Sequence, residues 1–379
     1  MRLYANLRVR IKPNVVTIIK RNLMGKGKIL VSKGQEVLPE DVIGKSLLSS
    51  GFRSINIASL LEVSPEEVDK YLQKRPGQTL FRNELLAFKK GGMFGGKKII
   101  TSPTDGVIQS YNSTTGELRM GFLPKNMDLP AAVYGIVESV DTERGQVLIK
   151  TETTQILGLF GGGRIRDGIL KFLSVRSGLI SSAQITSDLS EHIVVGGALV
   201  YGNAISALLA VGAHGIITGG VNAKDYRSMA GGHLHFPRKM GTDIGISLVV
   251  FEGFGSIPLG EDIMGILQKH NNKFVILDGN SAKLHLPSFE KDSMIRVKKT
   301  ALPPLDTPLV EPPPEVVAVE IGIDQKARVI VSPFQGQQGR IVYIDKVPST
   351  LSSGVRTYLV TLELKSRKIK VPFTNIEVI

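Results

Sequence analysis

The sequence predicts a multi-domain α+β chain rich in β-structure, with a central α/β domain, on three observations. Apolar runs at strand spacing, broken by Gly and Pro turns, fill both ends of the chain. Short continuous apolar strands alternate with helices in the middle. A segment with six prolines, Ala301 to Pro314, separates the middle from the C-terminus. The expected domains are therefore a β-rich region at 1–188 with a helical insert near 64–75, an α/β domain at 189–300, a proline-rich linker at 301–314 and a small β-barrel at 315–379. At 379 residues and 42% hydrophobic content, the chain can bury substantial cores.

In the first region, Ile29, Leu30 and Val31 precede a Lys33-Gly34-Gln35 turn, and Val37 to Ile43 follows it. Ile99 to Pro103 then leads into Asp105-Gly106, Val107, Ile108 and a Thr115-Gly116 turn. Between them Ser64-Pro65-Glu66-Glu67 predicts a helix start, with a hydroxyl cap, a proline in the first turn and acids at the positive end of the dipole. The phrases GKILVSKGQEVLPEDVIG and KKIITSPTDGVIQSYNSTTGEL resemble the halves of a barrel-sandwich hybrid, the fold of lipoyl and biotinyl domains. Pro103-Thr104-Asp105-Gly106 and the Gly34-Gln35-Glu36-Val37 turn carry this likeness. It implies the fold without the swinging arm, because neither a Met-Lys-Met nor an Asp-Lys-Ala tripeptide offers a lysine for modification. Gly91 to Lys98 (GGMFGGKK) lacks the GxxxxGK[ST] spacing of a nucleotide-binding loop and reads as a flexible linker.

The middle region reads as strand His192–Gly197, helix Asn203–Val211, strand Gly215–Gly220, helix Val221–Met229, strand Ile244–Phe251, helix Glu261–Lys269 and strand Lys273–Leu277. Such alternation predicts a mostly parallel sheet covered on both faces, with right-handed crossovers. Ligands of open α/β sheets sit beyond the carboxyl ends of the strands, and each strand here ends in glycine beside polar residues. The candidate pocket for a small molecule or phosphate is therefore Gly197, Thr218, Gly219, Gly220, Asn222, Asp225, Glu252, Gly253 and Asp278. The competing reading is that these glycines simply end strands and open helices.

No other chemistry is well supported. Four of the six histidines lie between His192 and His235, but His233 and His235 would need Asp225 or Asp243 as a further ligand, and no HExxH spacing is present, so no metal is assigned. Ser181, Ser182 and Ser256 sit in no GxSxG elbow. No GxGxxG names a cofactor, and none is assigned. The absence of cysteine excludes disulfides and thiolate catalysis. Residues 228–245 read as a long polar loop.

At the C-terminus, ARVIVSPFQGQQGRIVYI (327–344) and YLVTLELKSRKIKVPFTNIEVI (358–379) contain four strand-like runs. Gly336 and Gly339 are expected to supply the positive φ angles of a tight loop. VIVSPFQGQQGRIVYID resembles the KOW motif of SH3-like barrels, as in the C-terminal domain of the NusG family, over residues 325–379. Val347 to Arg356 is an insertion, and Ser332 stands where that family has glycine. The resemblance implies a partner among nucleic acids and nucleoprotein machines, such as a ribosome or transcription complex, with Lys326, Arg328, Phe334, Gln337, Arg340, Lys365, Arg367, Lys368 and Lys370 as the contact residues.

The net charge of +13 lies at the ends. Residues 1–100 carry nineteen Lys/Arg against eight Asp/Glu, residues 101–315 nineteen against twenty-one, and residues 316–379 nine against five. From Arg2 to Lys33 there are nine cations and no acid, a density that attracts phosphate backbones or anionic lipid head groups. Tyr4 is the only aromatic before Phe52, so base stacking is not expected in that stretch. No run reaches the length of a membrane span, and a cytoplasmic, non-enzymatic binding protein is the expectation. The alternatives are an α/β sensor or enzyme for a small anionic ligand, with the β modules as scaffold, and a protein–protein assembly adaptor.

Overall fold

The computed structural model describes residues 2–48, 51–91, 96–123, 125–229, 243, 245–302 and 317–379. His233, His235, the centre of Gly91–Lys98 and most of the proline-rich segment lie outside these. The chain is a β-rich α+β protein of several sheets, with no closed barrel among the described residues. It divides into two compact units, one of residues 1–18, 132–135 and 150–379, the other of 19–131 and 136–149.

The larger unit contains parallel strands flanked by helices. Ile165–Phe172, His192–Val195, Gly215–Val221 and Ser247–Phe254 are parallel neighbours in that order. Alternate residues of these strands face opposite ways. Val194, Ile216, Leu248 and Val250 pack under Ala204, Ile205 and Leu208 of helix Gly202–Ala210. Ile193, Val195, Ile217, Val249 and Phe251 pack under Ile263, Met264 and Leu267 of helix Glu261–Lys269. Both faces are thus covered, as continuous apolar strands require. Each fully buried Leu or Ile contributes on the order of 1.5–3 kcal/mol of transfer free energy.

Three expectations are corrected here. Ile165–Phe172, placed by sequence in the first domain, is central to this sheet, so a boundary at 188 does not hold. Phe274–Asp278, expected to be parallel, runs antiparallel to it, with Ile165 opposite Asp278. Finally, the C-terminal strands are not held apart from the α/β domain by the proline segment, because they belong to the same compact unit. They form a seven-stranded sheet in the order Val317–Glu320, Tyr4–Leu7, Ile376–Val378, Lys326–Val329, Gln338–Ile344, Leu359–Glu363 and Lys368–Pro372, so the N-terminal strand lies inside it. Gly336 has the expected positive φ of +83°. Gly339 does not, and its smallness instead lets the neighbouring strand approach, since a Cβ there would lie 2.6 Å from the Glu363 carbonyl.

The smaller unit contains a four-stranded sheet (Phe52–Asn56, Glu117–Phe122, Gly106–Asn112, Thr79–Leu80) and a three-stranded one (Lys125–Pro130, Val42–Leu48, Lys26–Ile29). Its core gathers Ile57, Leu61, Val68, Leu80, Leu86, Ile108, Leu118 and Met120. The helical insert expected near 64–75 is only a 3-10 turn, Pro65–Lys70, and a short α-helix that was not expected, Ile57–Leu61, capped by the Asn56 side chain, precedes it. Ser64 precedes that turn without the predicted side-chain cap.

His214 bonds through Nδ1 to the Asp167 carbonyl at 2.6 Å, and His270 to that of Ile266 at 2.9 Å. Burial lowers both pKa values. The unfolded chain therefore takes up protons first as pH falls through about 6.5, and stability declines with acidification below that point. Thermal melts between about pH 7 and 5 should show this decline, and a His214→Gln/His270→Gln variant should show a flatter one. Parallel curves would contradict the assignment.

Candidate nucleic-acid interface

The crevice beyond the strand ends, where an anionic ligand was expected, is filled by the chain itself. Thr218 is fully buried, and its hydroxyl donates to the Gly220 carbonyl at 2.9 Å. A Cβ on Gly219 would lie 2.1 Å from the Ile257 carbonyl oxygen, one on Gly220 1.9 Å from that of Gly255, and one on Gly197 2.5 Å from that of Gly178. These glycines admit backbone rather than ligand. Asp225 accepts from the Gly202 amide at 2.9 Å and from the Asn222 side chain at 3.3 Å. A carboxylate thus already occupies the helix N-terminus that a phosphate would seek. Glu252 accepts from the Gly260 amide at 2.9 Å, and Gly253 packs near Ile257. Asp278, at the end of an antiparallel strand, lies level with Ile165 at the opposite end of the parallel strands and accepts from Ser281. Among the described residues no group of three or more His, Asp and Glu is arranged to hold a metal ion. Asp243 instead accepts from one Arg166 nitrogen, at 2.8 Å through Oδ1 and 2.7 Å through Oδ2.

Arg328, expected on a partner-facing surface, is fully buried. Its guanidinium donates to Asp262 at 2.8 Å and to Glu252 at 2.8 Å, and Glu377 lies 3.9 Å away. Arg10 in turn donates to both Glu377 oxygens, at 3.0 and 2.8 Å, and to the Phe251 carbonyl at 2.7 Å, while Arg8 reaches Glu377 at 3.1 Å. Burial alone would lower the Arg328 pKa, but its hydrogen bonds to the Asp262 and Glu252 carboxylates, with their charge, outweigh it and hold it above its ordinary value. Arg328 joins the α/β domain to the C-terminal sheet and cannot meet an external phosphate.

The other C-terminal residues divide. Phe334 is half-buried against that sheet's core, with the Arg367 guanidinium 4.7 Å from its ring centre. Gln337 bonds Glu261 at 3.3 Å. Register sets Lys326, Arg340, Glu363 and Lys368 in one row across four strands. Glu363 sits between two of these cations, 3.1 Å from Arg340 and 3.5 Å from Lys368, and the Arg340 bond lowers its pKa. Lys370 pairs with Asp345 at 2.8 Å. Lys326, Lys365 and Arg367 are exposed and form no ion pair among the described residues.

A cationic groove occurs in the smaller unit instead. Its volume is about 610 Å³, and it is lined by Lys26, Gly27, Lys28, Leu30, Lys45, Ser46, Leu47, Asn126, Met127 and Asp128. Lys28 lies directly opposite Lys45, and Lys45 opposite Asp128, across three antiparallel strands. Like charges so placed repel, and a bound anion relieves that repulsion. All three lysines are exposed, and none is ion-paired among the described residues. The run of cations from Arg2 signalled Lys26 and Lys28. It could not signal Lys45, which strand pairing alone brings there. Other members of that run are committed internally: Arg8 and Arg10 to Glu377, and Arg21 to the Pro130 carbonyl at 3.1 Å, with burial lowering its pKa to about 10.

No protein-family model matches the chain, and neither a curated protein nor a solved structure is detectably similar to it.

Two substitutions check these assignments. Arg328→Met strands Glu252 and Asp262 in a buried site and should destabilise the larger unit by about 3–5 kcal/mol in chemical denaturation, whereas an unchanged midpoint would show the pairs to be dispensable. Gly220→Ala should cost roughly 1–3 kcal/mol, because its methyl meets backbone. Full tolerance would mean that the crevice has room for a ligand.

Proposed function

We propose that the protein is a non-enzymatic, nucleic-acid-binding chain that grips a phosphate backbone in the lysine groove of its smaller unit, with the C-terminal strands as a second basic module. The observation carrying this reading is the Lys28–Lys45 pair, cross-strand neighbours beside Lys26 that form no ion pair among the described residues, although Asp128 is the other neighbour of Lys45. Without aromatic lining, the groove suits backbone charge rather than base identity. Affinity should therefore be salt-dependent and largely sequence-independent.

The KOW-like reading of residues 325–379 remains part of this proposal. It is supported by a meander that runs from Lys326 to Val378 and returns through the 3-10 turn Phe373–Asn375, so that its last strand pairs with its first. The barrel-sandwich reading of the smaller unit draws on the hairpin strands Lys26–Ile29 and Val42–Leu48 and on Gly106–Asn112 and Glu117–Phe122. A ribosome or transcription complex in the cytoplasm is the class of partner that the KOW resemblance implies. The sensor alternative loses ground because Asp225 already fills the anion position it required.

Filter retention of a labelled oligonucleotide tests the proposal. With about three phosphates neutralised, affinity should drop about 40-fold between roughly 50 and 200 mM salt. Lys28→Glu/Lys45→Glu should weaken binding more than about tenfold and flatten the salt slope by about two contacts. Absence of retention at low salt, or an unchanged slope in the variant, would overturn it.

A further inference from the structure

The four-stranded sheet of the smaller unit turns one face to its core through Ile55, Leu118, Met120 and Ile108, and leaves the other open. On that open face Phe52 is 52% exposed, and the Arg119 guanidinium lies 3.3 Å from its ring centre. Gly121 is opposite Phe52 in register, and the Gln109 amide occupies the space that a Cβ at 121 would need. A bulge between Ile108 and Ser110 turns Gln109 onto this face. Ser110 and Ser54 flank Arg119 on either side in register. Three planar groups, a phenyl ring, a guanidinium and a carboxamide, are therefore laid out on one β surface.

Arg119 is exposed on this face and forms no ion pair among the described residues; Glu117 is an acid on the same face, and Arg53, opposite Met120 in register, belongs to the other one. Guanidinium planes and aromatic rings stack unpaired bases, whereas a duplex keeps its base faces covered. We infer that this face is a stacking platform for the bases of single-stranded nucleic acid, with Arg119 on Phe52 as the stack and the Gln109 amide positioned to bond a base edge. The inference rests on the nucleic-acid reading above and adds strandedness to it, through residues separate from the lysine groove.

The test uses the full chain, a single-stranded oligonucleotide carrying 2-aminopurine, and the duplex of the same sequence. Binding of the single strand should change 2-aminopurine fluorescence through stacking. Phe52→Ala and Arg119→Lys should abolish that change and weaken single-strand binding roughly tenfold, leaving duplex binding and its salt slope as they were. Arg119→Lys keeps the charge and loses the plane, so it decides the matter should Phe52→Ala fold poorly. If wild-type binding is salt-sensitive but both variants retain the fluorescence change, the platform is wrong and the phosphate-gripping reading stands. If the wild-type protein retains neither strand form at low salt, both are overturned.

Discussion

Everything in the larger unit depends on one buried cluster of charges. Arg328 and Arg10, each almost wholly removed from water, are matched by Glu252, Asp262 and Glu377. Such groups are tolerable in an interior only when every charge is paired and hydrogen-bonded, because the desolvation of one unpaired ion costs several kcal/mol. The cluster therefore fixes several elements at once. Glu252 comes from a parallel strand, Asp262 from the first turn of the helix on one sheet face, Arg328 and Glu377 from adjacent C-terminal strands, and Arg10 from the segment after the N-terminal strand. Displacing any of these breaks bonds made by the others.

Among the described residues, the positions expected to hold an anion are closed by the chain itself. A helix N-terminus and a glycine-rich strand end are the ordinary ingredients of an anion site, and the chain has both. Here its own side chains and backbone complete them: Asp225 at Gly202, Glu252 at Gly260, and carbonyl groups against Gly219 and Gly220. The same ingredients that recruit a phosphate elsewhere become internal fastenings once a carboxylate of the chain is within reach. The lysine groove and the Phe52–Arg119 face, both in the smaller unit, keep cations that form no ion pair among the described residues.

Legibility differed by element. Helices Gly202–Ala210 and Glu261–Lys269 and strands His192–Val195 and Gly215–Val221 could be read almost to the residue, because continuous apolar strands and 3.6-residue periodicity are local signals. Strand direction was not readable: Phe274–Asp278 looks like its neighbours in composition but runs the other way, which removes Asp278 from the expected site. Nor did charge density reveal which cations are free. Arg10 and Lys28 belong to the same acid-free stretch, yet the first is buried against Glu377 and the second lines an open groove.

By itself the sequence determined composition-level and local properties: a β-rich α+β chain, its α/β alternation, the basic ends and the lack of recognisable catalytic spacing. The tertiary structure alone decided which charges remain exposed. Tertiary pairing joins residues far apart in the chain, Arg10 with Glu377 over 367 positions and Arg328 with Glu252 over 76, and the energy of a charge depends on its neighbours and its distance from water. Neither quantity is written in the order of the residues.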